Sequence, residues 1–124
     1  MKKIRIRAGA ISALAVLDDS ETASAVWEAL PLKARANRWG DEIYFGIPVQ
    51  VGAAEDARDV VESGELGYWP PGSAFCIFWG LTPASQRDEI RAASPVNVFG
   101  RLTGDPLVFH PVTSGAEITL EREG

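Results

Sequence analysis

Glu42 and Tyr44 stand two residues apart in the run Asp41-Glu42-Ile43-Tyr44-Phe45. On an extended chain alternate side chains share a face. Ile43 and Phe45 are suited to a core, which turns Glu42 and Tyr44 outward together as an acceptor and a phenol. A solvated strand face would show the same alternation. Two tryptophans sit close by in turn-like surroundings, Trp39 before Gly40 and Trp69 in Gly67-Tyr68-Trp69-Pro70-Pro71-Gly72. Rings held by a stiff turn can wall a ligand pocket, or can pack a loop over the core. Asn97, in Val96-Asn97-Val98-Phe99, has donors and an acceptor to orient an amide, or to tie down a neighbouring loop. The expected ligand-binding set is therefore Trp39, Glu42, Tyr44, Tyr68, Trp69 and Asn97, with Glu42 the one acid/base candidate for catalysis.

Other chemistry is sparse. His110, the only histidine, lies between Phe109 and Pro111 with no acid or nucleophile adjacent, and reads as a helix-surface residue. Cys76, the only cysteine, lies on an apolar run and reads as buried and inert. It cannot form an intramolecular disulfide, which is compatible with a reducing compartment. The pairs Glu55-Asp56 and Asp88-Glu89 read as solvated loop charges. No metal-ligand spacing, phosphate loop or nucleophile elbow is present, so no metal and no cofactor is expected.

The 124 residues suit one domain, 1–124, and 46% hydrophobic with 23% charged residues is an ordinary globular composition. A net charge of −5 repels a phosphate backbone, so nucleic acid is not an expected partner. Lys2, Lys3, Arg5 and Arg7 read as the wet face of a strand. Arg5 and Arg7 also interrupt any apolar stretch after Met1-Lys2-Lys3, so an export leader is not expected. No uncharged apolar run reaches about 18 residues. The expected location is cytoplasmic, away from membranes.

The elements that must hold these side chains are mostly strands. Period-two alternation marks Lys2 to Ala8, and a turn at Gly9 leads to a second strand, Ile11 to Leu17, forming a hairpin. Asp19 or Ser20 can cap a helix in which Ala23, Val26, Trp27 and Leu30 share a face; Pro31 stops it. Strands are expected at Leu32 to Arg38, Glu42 to Phe45, Val49 to Val51, Ser73 to Trp79, Val96 to Leu102 and Glu117 to Glu121. Ala53 to Gly64 is read as holding a helical turn, and Gly67 to Gly72 as a rigid turn. Thr82-Pro83 and Asp105-Pro106 both carry the cap-then-proline signature, the second opening a short helix over Leu107 to Thr113. Both faces of Ser73 to Trp79 are apolar, so both need cover: the barrel interior on one side, and a helix, a loop or a ligand on the other.

This order of elements resembles the cyclophilin fold. Ala74-Phe75-Cys76-Ile77-Phe78 and Val96-Asn97-Val98-Phe99-Gly100-Arg101-Leu102 are similar to two cyclophilin strands. A closer resemblance, over nearly the whole chain, is to a prokaryotic family of small cyclophilin-like proteins of unknown function. It is carried by Asn37-Arg38-Trp39-Gly40-Asp41-Glu42-Ile43-Tyr44-Phe45, Gly67-Tyr68-Trp69-Pro70-Pro71-Gly72, Gly80-Leu81-Thr82-Pro83-Ala84-Ser85 and Ser94-Pro95-Val96-Asn97-Val98. The resemblance implies a mostly β, closed cyclophilin-like barrel with one clear and one short α-helix. The Phe-His-Arg and Gln-x-Gly-Gly-Asp segments of the cyclophilin isomerase site are missing. Phe109-His110-Pro111 echoes the first out of place, while Arg35 and Arg38 lie in the right region outside any motif. At most weak prolyl isomerase activity is implied.

Three functions are expected. The first is a binding module for a peptide or a small amide-like ligand, held in an outer groove. The second is an enzyme, or a subunit of one, acting on lactams or other small amides, as barrels resembling this one do. The third is a structural protein, such as a homodimer built through its aromatic loops.

Overall fold

The computed structural model describes residues 2–123. The chain opens with a hairpin, β1 (Lys3–Ala8) and β2 (Ile11–Leu17), turned at Gly9 with φ +62°. Ile4 and Ile6 are fully buried, while Arg5 and Arg7 pair with Glu123 and Glu121 near the end of the chain. Helix α1 (Glu21–Ala29) is capped by Ser20, whose Oγ accepts from the Ala23 amide at 3.1 Å, and it buries Thr22, Ala23 and Val26.

Eight further strands complete the chain: β3 (Leu32–Arg35), β4 (Asn37–Arg38), β5 (Glu42–Gly46), β6 (Arg58–Val61), β7 (Glu65–Trp69), β8 (Ala74–Phe78), β9 (Ile90–Leu102) and β10 (Glu117–Glu123). The sheet runs β3-β10-β1-β2-β9-β7-β8-β5-β4, with β6 attached to β9 alone. Its first and last strands are successive in the chain, separated by Ala36. Ala36 bonds to the β10 side instead, donating to Ala116 O and accepting from Gly115 N, both at 2.8 Å. No ladder joins β3 to β4 among the described residues, so the curved sheet is not closed by hydrogen bonds. The expected closed barrel is corrected to that extent.

Two apolar clusters divide the molecule. The larger fills the concave side, where Phe45 stacks on Phe75 at 5.1 Å and Phe75 meets Phe99 edge-on at 5.2 Å. The smaller, of Val61, Ala74, Cys76, Phe78, Ala92 and Val96, lies on the outer face. Both faces of β8 are thus covered, as its two-sided apolar pattern requires. The outer cover is a β-ribbon and not a helix. β9 is 13 residues long, and its first half turns over β7 and β8 while pairing with β6. Between Leu66 and Gly67 the β7–β9 register shifts, and a Cβ at Gly67 would lie 2.9 Å from Val96 Cγ2. The missing side chain lets β9 pass this close.

Several local expectations change. The Ala53 to Gly64 stretch contributes β6, because Val60 and Val61 pair with Arg91 and Ile90 of β9. Gly67 to Trp69 belongs to β7, leaving only Pro70–Gly72 as a 3-10 turn. Val49 to Val51 forms no strand. Thr82-Pro83 opens no helix: Thr82 Oγ1 accepts from the Ala84 amide at 3.2 Å and bonds to the Arg91 carbonyl, fixing a turn. The late helix is a single 3-10 turn, Pro106–Phe109, capped by Asp105. Among the described residues no helix is long and apolar enough to cross a membrane.

Candidate functional site

A hollow of about 220 Å³ opens on the outer face, between β5 and β8 beneath and the first half of β9 above. Glu42, Tyr44 and Cys76 line its strand side, Ala92, Ala93 and Val96 its β9 side, and Trp39 and Trp69 its rim. Alternation in β5 sends Ile43 and Phe45 into the large core and leaves Glu42 and Tyr44 here. Tyr44 is the cross-strand partner of Cys76, so the acid, the phenol and the thiol are neighbours.

Glu42 is only 4% exposed. No ion pair reaches its carboxyl group among the described residues. Burial pushes its pKa up to about 7, and the Cys76 thiol offsets this only in part. Burial likewise drives Cys76 well above the usual thiol range, and the neighbouring Glu42 adds to it, so Cys76 stays a protonated, inert thiol.

The rim is stiff. Trp69 Nε1 donates to Ser94 Oγ at 2.7 Å, tying β7 to β9, and the ring lies flush on Gly72, where a Cβ would come within 2.8 Å of it. Trp39 begins the tight β4–β5 turn, its amide bonding to Glu42 O at 2.9 Å. That turn needs Gly40, which has φ +63° and packs against the Leu81 carbonyl.

Four of the six expected ligand-binding residues therefore meet in one place: Trp39, Glu42, Tyr44 and Trp69. Tyr68 and Asn97 do not. Tyr68 points to the opposite face of β7 from Trp69, is 1% exposed, and donates its hydroxyl to Val49 O at 2.6 Å. Asn97 is also on the core side. Its Oδ1 accepts from the Ala54 amide at 2.8 Å, and its Nδ2 donates to Gly52 O at 2.9 Å and Thr22 Oγ1 at 3.1 Å. Both residues fasten the Val49 to Ala54 loop, which forms no ladder of its own. Strand parity already separates each from the outer face; reading Trp69 and Tyr68 as one turn concealed it.

Sequence reasoning missed Cys76, Ala92, Ala93, Ser94 and Val96. The signal for Cys76 was the second apolar face of its strand. The two alanines leave the space the hollow occupies, but that depends on where β9 folds over.

The arginines are committed elsewhere. Arg38 donates to His110 O at 2.7 Å and Val112 O at 2.9 Å, pairs with Asp41 at 3.1 Å and lies 4.9 Å over the Trp79 ring. Arg35 donates to Gly115 O at 2.9 Å. His110 sits just beyond the last 3-10 turn and accepts from Trp79 Nε1 at 3.3 Å. Among the described residues no three His, Cys, Asp or Glu side chains cluster to hold a metal ion.

An antiparallel, strongly curved sheet with one capped helix, and an acid-containing hollow on its outer face, defines a β domain of the cyclophilin type. The family model described as cyclophilin-like matches residues 2–121, and the chain belongs to that family. The solution structure of a hypothetical protein from Archaeoglobus fulgidus is similar over 98% of this chain and 95% of that one, with 42% identity and a TM-score of 0.83. None of the curated proteins matches the chain significantly.

Proposed function

We propose that the chain is a binding domain and that the outer hollow takes a small organic molecule, or one side chain of a peptide, by its polar head. The observation that carries this reading is Glu42: a carboxyl group 4% exposed, without an ion-pair partner among the described residues, facing an otherwise apolar hollow rimmed by two tryptophans. Burying a carboxyl group is costly unless something compensates it, and a ligand supplies what the protein does not. At about 220 Å³ the space falls below the ~300–1,000 Å³ typical of drug-sized ligands, which favours a small head group over an extended peptide. Of the three groups expected to orient an amide, Glu42 and Tyr44 remain available and Asn97 does not.

Chemical-shift mapping with a mixed set of small amides, amines, alcohols and acids tests this reading. Shifts are expected at the Trp69 indole, Ser94 and Ala92; a set that moves none of these would remove the proposal. Prolyl isomerisation at cyclophilin-like rates is not part of it, since neither Arg35 nor Arg38 lines the hollow. A proline-peptide assay is expected to show at most slow turnover, and fast turnover lost in Arg38→Ala would overturn that.

A second reading, amide processing, has one observation in its favour. A carboxyl group with a pKa of about 7 is matched to proton transfer at neutral pH. Turnover of small amides that survives Glu42→Gln would exclude Glu42 from that role.

A further inference from the structure

The four tryptophans of this protein fall into two pairs. Trp27 and Trp79 each carry a guanidinium over the ring, from Arg122 at 4.8 Å and Arg38 at 4.9 Å. Trp39 and Trp69, at the hollow, carry none among the described residues. No Lys, Arg or His lines the hollow either. It thus joins two indole rings that carry no guanidinium and a phenol to a buried carboxyl group without a counter-charge among the described residues. Aromatic faces attract cations through their negative quadrupole, most strongly when water is excluded. A buried carboxylate without a partner gains most from a cation brought to it.

Resting on the binding reading above, we infer that the hollow is a receptor for a small organic cation, an alkylammonium head group set against Glu42 and walled by Trp39, Tyr44 and Trp69. Charge complementarity selects this class. An anion would meet Glu42 and a chain of net charge −5 with no basic lining residue. A neutral head can donate a hydrogen bond to Glu42 but brings no charge to offset the carboxylate or to meet the ring faces. The volume suits the class too: about 220 Å³ is on the order of seven water volumes, room for a methylated or short-chain ammonium. Trp69, held by Ser94 and backed by Gly72, is already fixed as a wall, so little side-chain freedom is lost on binding. The cation can be a free amine or the end of a lysine side chain, plain or methylated, since these share one chemistry.

Titration calorimetry and Trp69 indole shifts would test this with n-butylammonium, tetramethylammonium and the neutral analogue 1-pentanol. Nα-acetyl-lysine N-methylamide and its trimethylated form serve as the peptide source. Both free ammonium ions are expected to bind at the hollow at least about tenfold tighter than 1-pentanol. Stronger binding of the capped lysines would point to a peptide source, and weaker binding to a free amine. Cys76 and Tyr44 are the titratable groups lining the hollow beside Glu42. Because Glu42 must be ionised to pair, affinity should rise roughly 30-fold from about pH 5.5 to about pH 8. Glu42→Gln and Trp69→Leu should each lose about tenfold or more, and Trp27→Leu should not. An unchanged amide spectrum shows that each variant is folded. Equal affinity for 1-pentanol, or full affinity in folded Glu42→Gln, would overturn the cation assignment and leave the hollow a binding site. A hollow that none of the probes, nor the wider mixed set, perturbs would remove both.

Discussion

Glu42 sets the main residue-scale prediction. Its carboxyl group keeps its proton up to about pH 7 in the fold, but only to about 4.5 in an ordinary setting. Between those values the folded state binds more protons than the unfolded chain. The stability this group contributes is therefore complete below about pH 4.5, falls as pH rises, and is gone above about 7. At about 1.4 kcal/mol for each pH unit, the loss is on the order of 3 kcal/mol. Glu42→Gln should flatten this slope, so urea unfolding is expected to show the variant more stable than the wild type near pH 8, with the advantage shrinking toward about pH 5. An unchanged slope would mean that Glu42 titrates normally.

At the scale of elements, the hollow exists because β9 has two jobs. Its second half completes the curved sheet beside β2 and β7, and its first half covers the outer face with β6. The crossing depends on Gly67. Gly67→Val would press a branched side chain against Val96 and Phe78, and overpacking of this kind costs about 1–3 kcal/mol. Thermal unfolding should show that loss, with the Trp69 indole signal moving as β9 is pushed away. Ser20 offers a contrast, since its hydroxyl meets only a helix end. Ser20→Ala is expected to cost about 1 kcal/mol without altering the hollow, measurable by urea unfolding with Trp69 as the reporter. The two results together separate global stability from the geometry of the site.

Over the whole molecule, much was legible in the sequence because it depends on short-range pattern. Alternation in Lys3–Ala8 and Glu42–Gly46 told the inner face from the outer one, and a cap at Asp19 or Ser20 with the apolar stripe after it marked α1, where the structure selects Ser20. The charged stretch before Gly64 was less legible. β6 is a strand only because β9 lies alongside it, and the interior of Arg58-Asp59-Val60-Val61 offers too short a pattern to show this alone. Thr82 and Asp105 do cap the amides beyond them, as their proline neighbours suggest. The capped segments are nonetheless a turn and a single 3-10 turn, since a cap satisfies the first amides of a turn as readily as those of a helix.

Types and parity along the chain, then, already determined that Glu42 and Tyr44 share a face and that β8 must be covered on both sides, while the resemblance of several segments to the cyclophilin-like family implied the fold. Three things waited on the tertiary structure: that β9 and not a helix covers β8, that Tyr68 and Asn97 are used up fastening a loop, and that Glu42 is buried with no ion-pair partner among the described residues. Each of these depends on how segments distant in sequence come together, and local propensity carries no information about which distant segment will arrive, or how much space it will leave.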